Sequence, residues 1–132
     1  MRKCSLGLMS YKEIGAIPKD RSVLLLPIGC VEQHGPAGFT GADTILAEHL
    51  CRRTAEGLED VYVAPPIWFG YTAYAAFPGT VSLRLETLRA VVRDSSAATS
   101  HTASVISSSS TTTAPTRPRS SLSPPRCAGG MG

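Results

Sequence analysis

Residues 23–28 read Val-Leu-Leu-Leu-Pro-Ile, an unbroken apolar run with polar residues before it and Gly29 after it. A run of this length and flanking fits a strand buried on both faces, as in a parallel sheet covered by helices. Pro27 has no N–H to give to a ladder, so it belongs near the strand's end. The polar stretch that follows, up to Asp43, is rich in Gly and Pro and holds Glu32, His34 and Asp43. Glu32 and His34 are two apart, so an extended backbone points both to one side. A carboxylate, an imidazole and a second carboxylate suit Zn²⁺, Mn²⁺ or Fe²⁺. Ligands collect at the carboxyl ends of parallel strands, which favours that reading. An isolated Glu-x-His is also a common solvated loop, and Asp43 is equally placed to cap a helix. Cys30 is either a small packing residue or a thiol near the site, and packing is favoured because nothing beside it in sequence is cationic enough to activate a thiol.

Around this stretch the pattern is that of a βαβ unit. Tyr11 to Ile17 is a short helix with Ser10 as N-cap and Glu13 at the capping-box spacing, ended by Pro18. Asp43 to Gly57 has helical spacing, with Ile45, Leu46, His49, Leu50 and Leu58 as the apolar stripe and Gly57 as C-cap. Glu48 and His49 belong to the helix surface or its packing. Val61 to Ala64 is a second buried strand, ended by Pro65 and Pro66, and a right-handed crossover is expected. Ile67 to Gly79 brings five aromatic residues among glycines, as core or as the wall of a pocket. Thr80 to Leu83 is a short strand, and Leu85 to Asp94 a helix with Leu88, Val91 and Val92 on one side.

After Asp94 the vocabulary changes. Residues 95–132 contain no acidic side chain and are dominated by Ser, Thr, Pro and Arg. Such a segment buries too little apolar surface to offset its ordering entropy, so residues 1–94 form the α/β part and 95–132 a disordered tail. The same vocabulary is that of a GC-rich coding sequence read in a shifted frame.

The net charge of +3 is small and spread out, which argues against a nucleic-acid partner. Cys4, Cys30, Cys51 and Cys127 make neither a CxxC pair nor a disulfide framework, and reduced thiols in a cytoplasmic protein are the simplest reading. The N-terminal apolar run is too short and interrupted for a secretory signal, and nothing is long enough to span a membrane.

LLLPIGCVEQHGP, then GADTILAEHLCRR, then FPGTVSL resemble the first part of the creatininase (creatinine amidohydrolase) family, over roughly Tyr11 to Asp94. The resemblance implies an α/β fold with a parallel sheet flanked by helices. It implies a hydrolase that cleaves cyclic or linear amide C–N bonds of small molecules with a two-metal centre, Zn²⁺ or Mn²⁺. It implies Glu32, His34 and Asp43 as metal ligands, with Asp43 bridging, and leaves a homo-oligomer open. No catalytic residue beyond these ligands matches. Two departures stand out. Ala37, Gly38 and Phe39 occupy the place of a His-Leu-Pro segment, and the Asn-Gly-His motif of the second ligand group is missing. His101 lies in a Ser/Thr-rich context and is not assigned as a ligand. A truncated, weakly active or inactive amidohydrolase holding at most one loosely bound metal is the resulting expectation. A non-catalytic α/β module whose tail binds a partner or is phosphorylated is the alternative.

Overall fold

A computed structural model describes residues 3–99 and the backbone of 104–109. Val23–Ile28 is strand β1, with the bounds that the apolar run sets. It lies in the middle of a three-stranded parallel sheet, between β2 (Val61–Val63) and β3 (Ser104–Ser109). Val23 pairs with Val61 on one side and Ser104 on the other, and β3 follows β1 along its whole length to Ile28 and Ser109.

Alternation along β1 divides its side chains between two layers. Val23 and Leu25 face a cluster of Cys4, Cys51, Ala55, Val61 and Val63. Leu24, Leu26 and Ile28 face the other way, with Ala64, Tyr62 and Ile67. Helix α2 (Ala42–Glu56) closes the first layer and connects β1 to β2. Helix α3 (Leu85–Thr99) closes the second with Leu88 and Val92. The sheet is therefore covered on both faces, as the continuous apolar run requires. Leu24 is fully buried, which contributes about 1.5–3 kcal/mol.

Helix α1 (Tyr11–Gly15) forms with the expected capping box. Ser10 Oγ accepts from the Glu13 amide at 3.3 Å, and the Ser10 amide donates to Glu13 Oε2 at 2.7 Å.

The buried face of α2 differs from the expected stripe. Thr44, Ala47, Cys51 and Ala55 are buried, whereas Ile45, Leu46, Leu50 and Leu58 are about half exposed. The helix approaches the sheet so closely that small side chains fill the contact and the large ones are turned outward. Gly29 marks the approach: a Cβ there would overlap the backbone and hydroxyl of Thr44.

Two further expectations change. Thr80 to Leu83 is not a strand. Only Val81 forms an isolated antiparallel bridge, its amide donating to the Val31 carbonyl at 2.9 Å. Helix α3 continues beyond Asp94 to Thr99, and residues 104–109 pair as β3. The rest of the segment expected to be disordered, with His101 and Cys127, lies outside the described residues.

Candidate metal centre

The site grows from the carboxyl end of β1. Gly29 donates its amide to the Ile67 carbonyl at 3.0 Å, and Ile67 returns a bond to Pro27 at 2.9 Å. These bonds carry the parallel pairing one step past β2 and fix where the chain leaves the sheet. The Glu32 amide bonds the Thr40 carbonyl at 2.9 Å and closes the intervening loop on itself. Gly38 lies against the His34 backbone, where a Cβ would overlap it. The residues that depart from the His-Leu-Pro pattern thus provide the tight return over His34.

Asp43 is in the first turn of α2, yet it does not cap the helix. The N-cap is Gly41 and makes no side-chain bond. The Asp43 carboxylate instead meets His34, with Nε2 3.3 Å from Oδ1. The other ring nitrogen, Nδ1, is 3.0 Å from the Glu32 carbonyl oxygen. A carbonyl only accepts, so Nδ1 carries the proton. In neutral His34 the Nε2 lone pair then faces a carboxylate oxygen, and two acceptors in that position need a positive centre between them. Either a second proton or a metal ion provides it. The edge of a tetrahedron with bonds of about 2.0–2.1 Å is about 3.3 Å, so the pair is spaced as neighbouring ligands of one ion.

Glu32 reaches the same place. Thr72, buried in the aromatic loop, donates its hydroxyl to Glu32 Oε2. Ser82 holds Thr72 in turn: its Oγ accepts from the Thr72 amide at 3.1 Å and donates to the Thr72 carbonyl at 3.3 Å. One ligand atom each from Cys30, Glu32 and Asp43 lie within 4.8 Å of one another. That cluster contains two of the three sequence-derived residues, and His34 joins it through Asp43.

The electrostatics follow from two carboxylates sharing a half-closed space. The Glu32 carbonyl raises the His34 pKa most, and the Asp43 carboxylate adds to it. Burial pushes the Cys30 thiol up to about 11, with the charges of Glu32 and Asp43 acting in the same direction. The contributions of the carboxylates to both describe a site that favours positive charge. Oxygen and nitrogen donors with an orienting carbonyl behind the imidazole fit a divalent cation.

The aromatic loop is neither core nor closed wall. Trp68, Phe69, Tyr71, Tyr74 and Phe77 are 40–50% exposed. Tyr74 and Phe77 pack edge to face, with centroids 6.3 Å apart. His49 lies on the outer side of α2, away from this centre, with Glu48 and Arg52 beside it.

A family model described as creatinine amidohydrolase matches residues 7–103. The chain belongs to the creatininase family. Among curated relatives, the creatinine amidohydrolase of Pseudomonas putida is 34% identical over 96 residues, which is 67% of this chain and 36% of that protein. The 3-dehydro-scyllo-inosose hydrolase of Thermotoga maritima is 36% identical over 80 residues, 59% of this chain and 25% of that protein. A mutant creatininase complexed with creatine has a TM-score of 0.75 at 31% identity, over 80% of this chain and 44% of that one. Creatininase structures of a manganese form and a zinc–zinc form each have a TM-score of 0.74, at 30% and 29% identity. This creatininase-family chain therefore spans between a quarter and just over a third of those two curated relatives.

Sequence reasoning missed Thr72 and Ser82, and favoured packing for Cys30 over a thiol near the site. Thr72 and Ser82 carry no local signal, since they become site residues only when a loop folds back over β1. Cys30 did carry one. Cys30, Glu32 and His34 alternate, and the rule that pairs the last two includes the first.

Proposed function

We propose that this chain carries one ligand group of a metal-dependent amidohydrolase that cleaves amide C–N bonds of small molecules, with zinc or manganese as the ion. The observation that supports it best is the convergence of Glu32, His34 and Asp43 beyond the carboxyl end of the central parallel strand, with His34 Nε2 3.3 Å from Asp43 Oδ1. Glu32, His34 and Asp43 would hold the ion, and Asp43 would serve a second one.

When bound, the cation supplies Lewis-acid polarisation of an amide carbonyl and acidifies water. The chain's own residues set the conditions for that. The Glu32 carbonyl holds the imidazole so that its Nε2 lone pair points at the Asp43 carboxylate. Thr72 holds one Glu32 oxygen and so orients the carboxylate. The exposed aromatics of residues 68–77 offer flat apolar surface to a small planar substrate.

The Asn-Gly-His group is missing from these 132 residues, and no glutamate follows Glu86. Two metals need roughly four ligands each, with a position left open for water. The chain by itself is therefore expected to hold at most one weakly bound ion and to hydrolyse amides negligibly. Metal analysis of purified, dialysed protein, together with an amide-hydrolysis assay, tests this. One exchangeable divalent ion lost in His34→Ala supports the reading. Two tightly held ions, or metal-dependent turnover abolished by His34→Ala, would overturn the claim of an incomplete centre. Failure to bind any divalent ion would overturn the metal-site assignment.

A further inference from the structure

We infer that Cys30 is a fourth protein ligand of this centre, and that its sulfur gives the site a preference for thiophilic ions such as Zn²⁺ and Co²⁺ over Mn²⁺. The inference rests on the metal reading above and adds a donor to it. Cys30 is 2% exposed, which alone would suit a packing residue. Its surroundings are not those of packing. Its sulfur belongs to a cluster with a carboxylate oxygen of Glu32 and one of Asp43, all within 4.8 Å. The sulfur's hydrogen bond to the Tyr71 carbonyl is long, at 4.0 Å. Gly70 lies over it, where a Cβ would come within 3.2 Å of the sulfur. The thiol is thus enclosed between a backbone turn and two anionic side chains.

The geometry of ligation is within reach. A tetrahedral zinc site, with Zn–S of about 2.3 Å and Zn–O of about 2.0–2.1 Å, separates sulfur and oxygen by about 3.5 Å. Cys30, Glu32 and Asp43 offer donors within 4.8 Å of one another, so these three need to close by up to about 1.3 Å. Glu32 and Asp43 are only partly buried, which leaves their side chains room to do so. As the metal–sulfur bond forms, the thiol proton leaves to solvent. One sulfur, one nitrogen and two oxygens suit zinc, which keeps a place for water by expanding to five-coordinate, whereas carboxylate and imidazole alone serve manganese as well.

The test uses the full chain and Co²⁺ as the probe. Co²⁺ titration is expected to give visible bands of a low-coordinate site together with a near-ultraviolet thiolate-to-metal band. Cys30→Ser is expected to keep the visible bands and lose the near-ultraviolet one. It should also lower Zn²⁺ affinity by at least about 10-fold while Mn²⁺ affinity changes less than about 2-fold. Visible bands without a thiolate band in the wild type would overturn the Cys30 assignment and leave the metal centre standing. A thiolate band that survives in Cys30→Ser and vanishes in Cys127→Ser would overturn it too. No Co²⁺ binding at all would remove the metal reading itself. If Cys30→Ser fails to fold, X-ray absorption of the Zn²⁺-loaded wild type decides. A sulfur shell near 2.3 Å supports the proposal, and oxygen and nitrogen neighbours alone overturn it.

Discussion

Thr72 donates its hydroxyl to a carboxylate oxygen of Glu32, forty positions earlier in the chain. The bond ties the aromatic loop to the stretch after β1, and Thr72 Oγ1 also accepts from the Tyr74 amide at 3.0 Å. A side chain that fixes a candidate ligand and a neighbouring backbone group at once couples stability to metal affinity.

Thr72→Val keeps the shape and removes both bonds. Groups left unpaired here cost about 1–3 kcal/mol, and loss of an orienting partner lowers metal affinity by about 10–100-fold. Calorimetric Zn²⁺ titration and a denaturant melt measure the two effects. An unchanged Zn²⁺ affinity would show that Glu32 needs no orientation.

Asp43→Asn separates binding from folding. The helix is capped at Gly41 rather than by this carboxylate, so the metal-free protein should melt within about 1 kcal/mol of wild type. Zn²⁺ affinity should fall at least about 10-fold. A large loss of metal-free stability would mean that Asp43 serves the helix after all.

Gly29→Ala places a methyl group into Thr44, whose hydroxyl donates to the Cys30 carbonyl at 3.3 Å and the Trp68 carbonyl at 3.4 Å. The clash is with backbone, so relief requires α2 to move. The cost is on the order of 3 kcal/mol, read from the urea midpoint. A neutral result would show that α2 rides more loosely on β1 than the contact implies.

The capping box of α1 gives a pH dependence with a defined sign. The Ser10 backbone N–H, with help from Lys3, lowers the Glu13 pKa from 4.5 to about 2. The folded value lies below the unfolded one, so the ionised box contributes its full stability above pH 4.5. That contribution is lost as pH falls toward 2. The difference in urea midpoint between wild type and Glu13→Gln should therefore shrink across this window. A difference that stays constant would mean that Glu13 does not titrate with the fold.

How much of this was legible in the sequence depended on which physical signal each residue carries. The bounds of β1 followed from an apolar run with no polar interruption, and α1 from a two-residue capping signature. The buried face of α2 did not follow. Thr44, Ala47, Cys51 and Ala55 carry little hydrophobicity, whereas Ile45, Leu46 and Leu50 carry much, so periodicity favoured the large residues. Distance to the sheet decided otherwise, because a helix that sits close has room only for small side chains. Residues 104–109 were invisible for a different reason. Ser-Val-Ile-Ser-Ser-Ser has low intrinsic strand preference, and its pairing depends on the open edge that β1 offers. The family was readable from short motifs, whereas the Thr72 contact required tertiary closure.

Because β1 has a neighbour along each flank, its amides are the last in the sheet to trade their protons for deuterium. Glu32 and His34 hang from that strand by a few residues, and Asp43 from the first turn of the helix packed on it. Fluctuations that spread the three donors apart can therefore be brief and local, while their anchorage persists until the whole molecule lets go. An ion could leave and return many times within the lifetime of one folded chain, meeting each time the same fixed root.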